Sequence, residues 1–175
     1  MKSLLEKENP VLRQTSEAIS SNEFGSDWLR NLVKDLFAIM ADKGAVGVAA
    51  PQIGILKRVI VFGTAYTKRR KPEHPIPDTA LINPSFKILS EEIQTGHEGC
   101  LNCGELMGEV PRAMDIEYTG FDIDGNPVTK RATGLEARIL QHEIDHLNGF
   151  LFFDRVKDTT TLTTMTEIQN RTLTQ

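Results

Sequence analysis

Gln141-His142-Glu143-Ile144-Asp145-His146-Leu147 stands near the end of a stretch, Thr133 to Gly149, that reads as one helix. Thr133 and Glu136 have the Thr-x-x-Glu spacing of a capping box, in which hydroxyl and carboxylate satisfy free amides at a helix start. Asn148-Gly149 tolerates the left-handed conformation of a C-cap, so the helix is predicted to end at about Leu147. Residues four apart on a helix share a face, which sets His142 above His146 with Glu143 one position on. Leu135 and Ile139 continue that face and are expected to run into the interior, where an unliganded pair of imidazoles would be costly. His-Glu-x-x-His at this spacing suits metal-assisted hydrolysis: two imidazoles on one cation and a carboxylate within reach of a water bound to it.

Two imidazoles do not complete such a site. A hydrolytic metal takes three protein ligands and keeps one position for water, so the third is sought among His97, Cys100, Cys103 and a carboxylate. The segment Gly96-His97-Glu98-Gly99-Cys100-Leu101-Asn102-Cys103 offers several candidates at once. If both cysteines join both histidines, the site is a closed Cys₂His₂ structural-zinc module and Glu143 is idle. If only one joins, the site is open and Glu143 has a water to act on. The residues alone leave both readings standing. A thioredoxin-like reading of Cys-x-x-Cys is weaker, because no strand-to-helix junction of the usual kind surrounds it.

The rest of the chain is ordinary for one domain. It has 175 residues, 20 Lys plus Arg against 24 Asp plus Glu, and a net charge of −4, which argues against a grip on nucleic acid. With 2 cysteines at a metal spacing, no apolar leader and no long apolar run, a cytoplasmic protein with no membrane contact is expected. Asp27 to Asp42 has helical apolar spacing and stops at Gly44. Gly44-Ala45-Val46-Gly47-Val48-Ala49-Ala50-Pro51-Gln52 is a run of small residues that leaves room for a ligand near the backbone. Val59-Ile60-Val61-Phe62 and Ala80-Leu81-Ile82-Asn83 read as short buried strands, with a solvated loop at Lys68-Arg69-Arg70-Lys71-Pro72 between them. Asp115 to Thr129 alternates around Asp124-Gly125 as an antiparallel hairpin. Residues 1–158 are expected to form the catalytic domain and 159–175 a loose, polar, Thr-rich tail.

Three motifs occur in order: Gly47-Val48-Ala49-Ala50-Pro51-Gln52, Glu98-Gly99-Cys100-Leu101 and Gln141-His142-Glu143-Ile144-Asp145-His146. With Asn9-Pro10-Val11-Leu12-Arg13 and Val110-Pro111-Arg112 around them, the chain resembles peptide deformylase over nearly its whole length. The resemblance implies an α+β fold, antiparallel sheets around a central metal-binding helix, with the Asp27 helix packed outside. It implies that Cys100, His142 and His146 bind a divalent metal, that Glu143 is the acid/base, and that Gln52 and the Leu101 N–H face the substrate oxyanion. It further implies a peptide lying along Gly47, with the formylmethionine side chain in a pocket of Val46, Leu135, Ile139 and the stem of Glu98. Fe²⁺ is the expected cellular metal, and the thiolate with two imidazoles suits Zn²⁺, Ni²⁺ or Co²⁺ as well.

Several positions depart from the family pattern. Ala45 replaces a glycine, Asn102 stands where serine is usual, and Gly96 holds a position that is commonly larger and apolar. Cys103 has no counterpart as a ligand, and the Cys103 to Glu109 segment, which includes Met107, lacks an arginine that many members place against the bound peptide. A catalytically weak or inactive relative is therefore the alternative to weigh. Beyond Asp158 only Arg171 is positive, so the expected partners are formylmethionyl nascent peptides, with at most transient contact to the ribosome.

Overall fold

The computed structural model describes residues 3–67 and 73–173. Helix α1, Asp27–Lys43, buries Leu29, Leu32, Val33, Leu36, Ile39 and Met40 along one stripe. The Ser26 hydroxyl caps its start by accepting from the Leu29 N–H at 3.2 Å, and Gly44 ends it at φ 63°.

The stripe packs on a sheet. Strands β1 (Gly47–Ala49), β2 (Val59–Phe62), β3 (Thr79–Ile88), β6 (Asp115–Phe121) and β7 (Pro127–Thr133) form an all-antiparallel sheet in the order β1-β2-β3-β6-β7. Strand β2 shows why its sequence is an unbroken apolar run. Val59 and Val61 face the α1 cluster, whereas Ile60 and Phe62 face the opposite cluster, so both faces are covered. Asn83, in the left-handed region at φ 51°, marks an irregularity in the β3–β6 register and is held by bonds to the Ile19 N–H and carbonyl, 2.8 and 2.9 Å. The hairpin expected around Asp124-Gly125 joins β6 to β7, with Gly125 at φ 88°. The basic loop expected at 68–72 lies outside the described residues.

Helix α2, Gly134–Leu147, covers the second face with Ala137, Ile139, Leu140, Ile144 and Leu147. Strands β4 (Ile93–Gly99), β5 (Leu106–Ala113) and β8 (Thr163–Thr164) make a second antiparallel sheet, so α2 is sandwiched between the two. Gln141 pins the helix to β5: its amide donates to the Ala113 and Ala137 carbonyls at 2.8 and 2.9 Å and accepts from the Ala113 N–H at 3.2 Å. The α+β architecture around a central helix is thus the observed one.

Three local expectations need correction. Thr133 is the N-cap residue but its hydroxyl makes no capping bond, so the capping box is not formed. The helix starts where expected because β7 ends there and Gly134 turns the chain at φ 55°. Leu135 is not interior but 42% exposed. The expected loose tail carries regular structure over its described residues, 159–173: β8 pairs with β5, and α3 (Met165–Leu173) follows. Leu162 packs, partly buried, against the core cluster of Leu12, Val110, Leu151 and Phe152, and a Cβ on Gly108 would lie 2.9 Å from its Cδ2, so this burial depends on one leucine meeting one glycine rather than on periodicity. No helix among the described residues is long and apolar enough to cross a membrane.

Candidate metal centre and active site

The one-turn spacing on α2 sets the His142 and His146 rings 5.0 Å apart at 78°. The β4 strand delivers Cys100 to the same place, its sulfur 3.4 Å from His146 Nε2. One donor atom from each of Cys100, His142 and His146 lies within 4.8 Å of the others. Cys103 is outside that group, and His97 projects from β4 toward Glu109, 3.9 Å away and about half exposed. The closed Cys₂His₂ arrangement is therefore not what the fold assembles.

The donor set fits a cation of borderline softness. His142 Nδ1 donates to Glu98 at 2.9 Å, which fixes the tautomer and leaves Nε2 as a lone-pair donor. His146 Nδ1 and Glu143 Oε2 are buried with no hydrogen-bond partner among the described residues. Burial lowers the pKa of His146 and so favours its neutral, ligating form. A thiolate sulfur and two imidazole nitrogens gathered on one point are the donors a resident divalent metal would take, with His146 binding through the Nε2 that faces the sulfur.

Glu98 anchors the centre. Its carboxylate accepts two bonds from Arg112, one from Arg138 and one from His142, each at 2.9 Å. Burial opposes its ionisation, but the His142 and Arg112 hydrogen bonds and charges prevail and hold it at about 2. Arg112 also reaches Asp145 at 2.6 Å, and Asp145 takes a second arginine, Arg155, at 2.6 Å. Reading Glu98 only as a pocket wall missed this orienting role, and the register that brings Arg112 beside it is not visible in residue patterns.

Opposite the helix, Gln52 lies in the 3₁₀ turn after β1. Its Oε1 accepts from the Ala49 N–H at 2.7 Å, which fixes the amide orientation. Nε2 donates to Asn102 Oδ1 at 2.7 Å and points at Cys100 Sγ, 3.4 Å away. Asn102, noted only as a departure, is held in turn through its amide nitrogen by the Leu5 and Gln52 carbonyls at 2.6 and 3.1 Å. Glu143 is 4% exposed, and burial pushes its carboxyl up to about 7, into the range useful for proton transfer. Gly47 makes that placement possible, since a Cβ there would lie 2.7 Å from Glu143 Cδ.

These groups open on a cavity of about 470 Å³. Val46, Gly47, Gln52, Glu98, Cys100, Leu101, Leu135, Ile139, His142 and Glu143 all line it, so only His146, 1% exposed behind the others, is absent from its wall. Strand β1 forms one rim and is the edge of its sheet, with an unpaired side available for main-chain pairing. Met165 from the start of α3 also lines the cavity, a contribution the polar composition of the tail did not signal.

A Cys/His/His donor set, a buried acid beside it and a sheet edge at its mouth define a metal-dependent hydrolase of peptide-like substrates. The chain belongs to the polypeptide deformylase family, whose model matches residues 1–161. It is 38% identical over 158 residues to peptide deformylase 2 of Pseudomonas syringae, covering 90% of this chain and 88% of that one. It is 42% identical over 132 residues to peptide deformylase 1 of Bordetella pertussis, 75% of each. The fold matches the Met-Ala-Ser-bound class I type b peptide deformylase of Acinetobacter baumannii with a TM-score of 0.82, at 32% identity over 89% of this chain and 98% of that chain.

Proposed function

We propose that the chain removes the formyl group from N-formylmethionyl peptides, releasing formate, with residues 1–158 as the catalytic unit and Met165 of the following stretch completing the cavity wall. The observation that carries this reading is the placement of Glu143: buried, unpaired at Oε2 and packed against the backbone of the edge strand at Gly47. An acid/base group so close to that edge acts at the end of a peptide lying on it, and the formyl amide is the terminal amide bond of such a peptide. Acetylated peptides are expected to react poorly because the extra methyl must fit beside the metal ligands.

Cys100, His142 and His146 would hold the metal, with Fe²⁺ as the cellular ion and Zn²⁺, Ni²⁺ or Co²⁺ as workable substitutes. When bound, the ion supplies Lewis acidity and a water of lowered pKa. Glu143 accepts the proton of the attacking water and returns it to the leaving amine. As charge grows on the formyl oxygen, the Gln52 Nε2–H that faces the cysteine and the Leu101 N–H donate to it. Glu98 keeps the His142 tautomer, and the methionine side chain occupies the wall formed by Val46, Leu135, Ile139 and the Glu98 stem. Nascent formylated chains are the substrates, and any ribosome contact is brief.

The test is formate release from formyl-Met-Ala-Ser by the parent and by E143Q, each with metal content measured. The parent is expected to release formate and E143Q to keep its metal while losing about 10²–10⁴-fold in rate. Full activity in metal-loaded E143Q would overturn the assignment of the acid/base, and an inactive metal-loaded parent would favour the inactive relative.

A further inference from the structure

Cys103 plays no part in the site described above, yet it sits one tight turn from Cys100. The 3₁₀ turn Leu101–Cys103 closes with the Cys103 N–H donating to the Cys100 carbonyl at 2.9 Å. Cys100 enters the turn in extended conformation, φ −137° and ψ 141°, and the Cα atoms spanned by such a turn come within about 7 Å, at the upper end of the separation a disulfide bridges. Neither thiol is in a disulfide. Both are buried in the cluster that holds Leu12, Val110, Leu151 and Phe152. Their access differs. Cys100 lines the active-site cavity, whereas Cys103 is not among the described residues that do. The following residue, Gly104, has φ 60° and nothing within 4 Å of where a Cβ would stand, so the turn can adjust without a clash on that side.

We propose that Cys100 and Cys103 are a disulfide-forming pair, in which a small peroxide entering the cavity oxidises Cys100 and Cys103 captures the product. The Cys100 sulfur attacks one peroxide oxygen, the O–O bond breaks, water leaves and a sulfenic acid forms. The Cys103 sulfur then attacks the Cys100 sulfur, the S–O bond breaks, and the Cys103 proton leaves with the hydroxide as a second water. Two thiols and one hydrogen peroxide become one disulfide and two waters, with two electrons passing from sulfur to oxygen. The capture holds Cys100 at a stage that a dithiol reverses, short of the irreversible sulfonic acid. It also removes the sulfur from the donor set, leaving two imidazoles. That last step rests on the reading of Cys100 as a metal ligand, whereas the disulfide itself does not.

The test treats the zinc-loaded protein with hydrogen peroxide, blocks remaining thiols with iodoacetamide, and follows the tryptic peptide 88–112 by mass alongside metal content. The expected peptide carries neither label and is lighter than the dithiol form by about 2 Da, zinc is released, and dithiothreitol restores both thiols and zinc binding. C103S and C103A, which keep the three candidate ligands, are expected to bind zinc and release formate like the parent, but to lose Cys100 to products that dithiothreitol does not recover. Over-oxidised Cys100 in the parent without the lighter peptide, or equal recovery in parent and variants, overturns the proposal. A disulfide that forms while zinc stays bound supports the pair and overturns the ligand reading instead, so the two failures are distinguishable. Because the parent peptide is read directly, the result stands even if either variant folds poorly.

Discussion

Replacing Gly47 by alanine tests whether the edge strand and the acid/base group are one device. Gly47 is not among the glycines of positive φ, so alanine suits its backbone and the effect is purely steric. The added methyl would press on Glu143 Oε1, 2.7 Å from Cδ and 2.9 Å from Cγ. Carbon atoms rest at about 3.5–4.0 Å, so the carboxylate must withdraw by roughly 1 Å. There is little space for this, because Glu143 is 4% exposed and Gln141 fixes the helix beneath it to β5. A displacement of that size at a reacting group costs about 10²-fold in rate. Steady-state formate release from formyl-Met-Ala-Ser should therefore show kcat of G47A down by about 10²-fold, with metal content equal to the parent because no ligand has moved. The competing account is that the methyl only hinders the peptide on the strand edge. Under it KM would rise while kcat stayed unchanged, and that outcome would refute the reasoning.

N102A should free the Gln52 amide and remove the Oδ1 that also faces the Cys100 sulfur at 3.7 Å, lowering kcat by roughly tenfold with KM nearly constant when metal-loaded protein is compared; an unchanged kcat would show that Oε1 anchoring at Ala49 suffices. R112A leaves Glu98 and Asp145 buried without their shared partner, so urea unfolding should show a loss of about 3–5 kcal/mol, and a loss under 1 kcal/mol would mean Arg138 and Arg155 compensate. Glu23 is held at about 2, from 4.5, chiefly by Ser20 hydrogen bonds with help from Lys57, so its contribution to stability is present above pH 4.5 and disappears as pH falls toward 2. E23Q should accordingly have a lower Tm than the parent at pH 6 and a smaller fall between pH 5 and 3; Glu98, depressed to the same range, leaves some fall in both proteins.

What residue patterns disclose about this molecule is what helix geometry makes local. His142, Glu143 and His146 are related by one turn of α2, and the pattern that names them also places them. Cys100 reaches them only because β4 ends beside α2, a contact across 46 residues that no period encodes, and the candidate set on the residues alone stayed open for that reason. Glu98 shows the same limit, since its partner Arg112 becomes a neighbour through the β4–β5 register. Gly96 then stops being an isolated oddity. A Cβ at that position would lie 3.1 Å from Arg138 Nη2, and Arg138 uses the room to donate to the Gln94 and Val110 carbonyls and to Glu98 at 2.7, 2.8 and 2.9 Å. A missing side chain on the strand and a guanidinium on the helix are therefore one packing solution. A bulky apolar residue at 96 would push the arginine away and remove one of the three arginine hydrogen bonds that hold the carboxylate on His142.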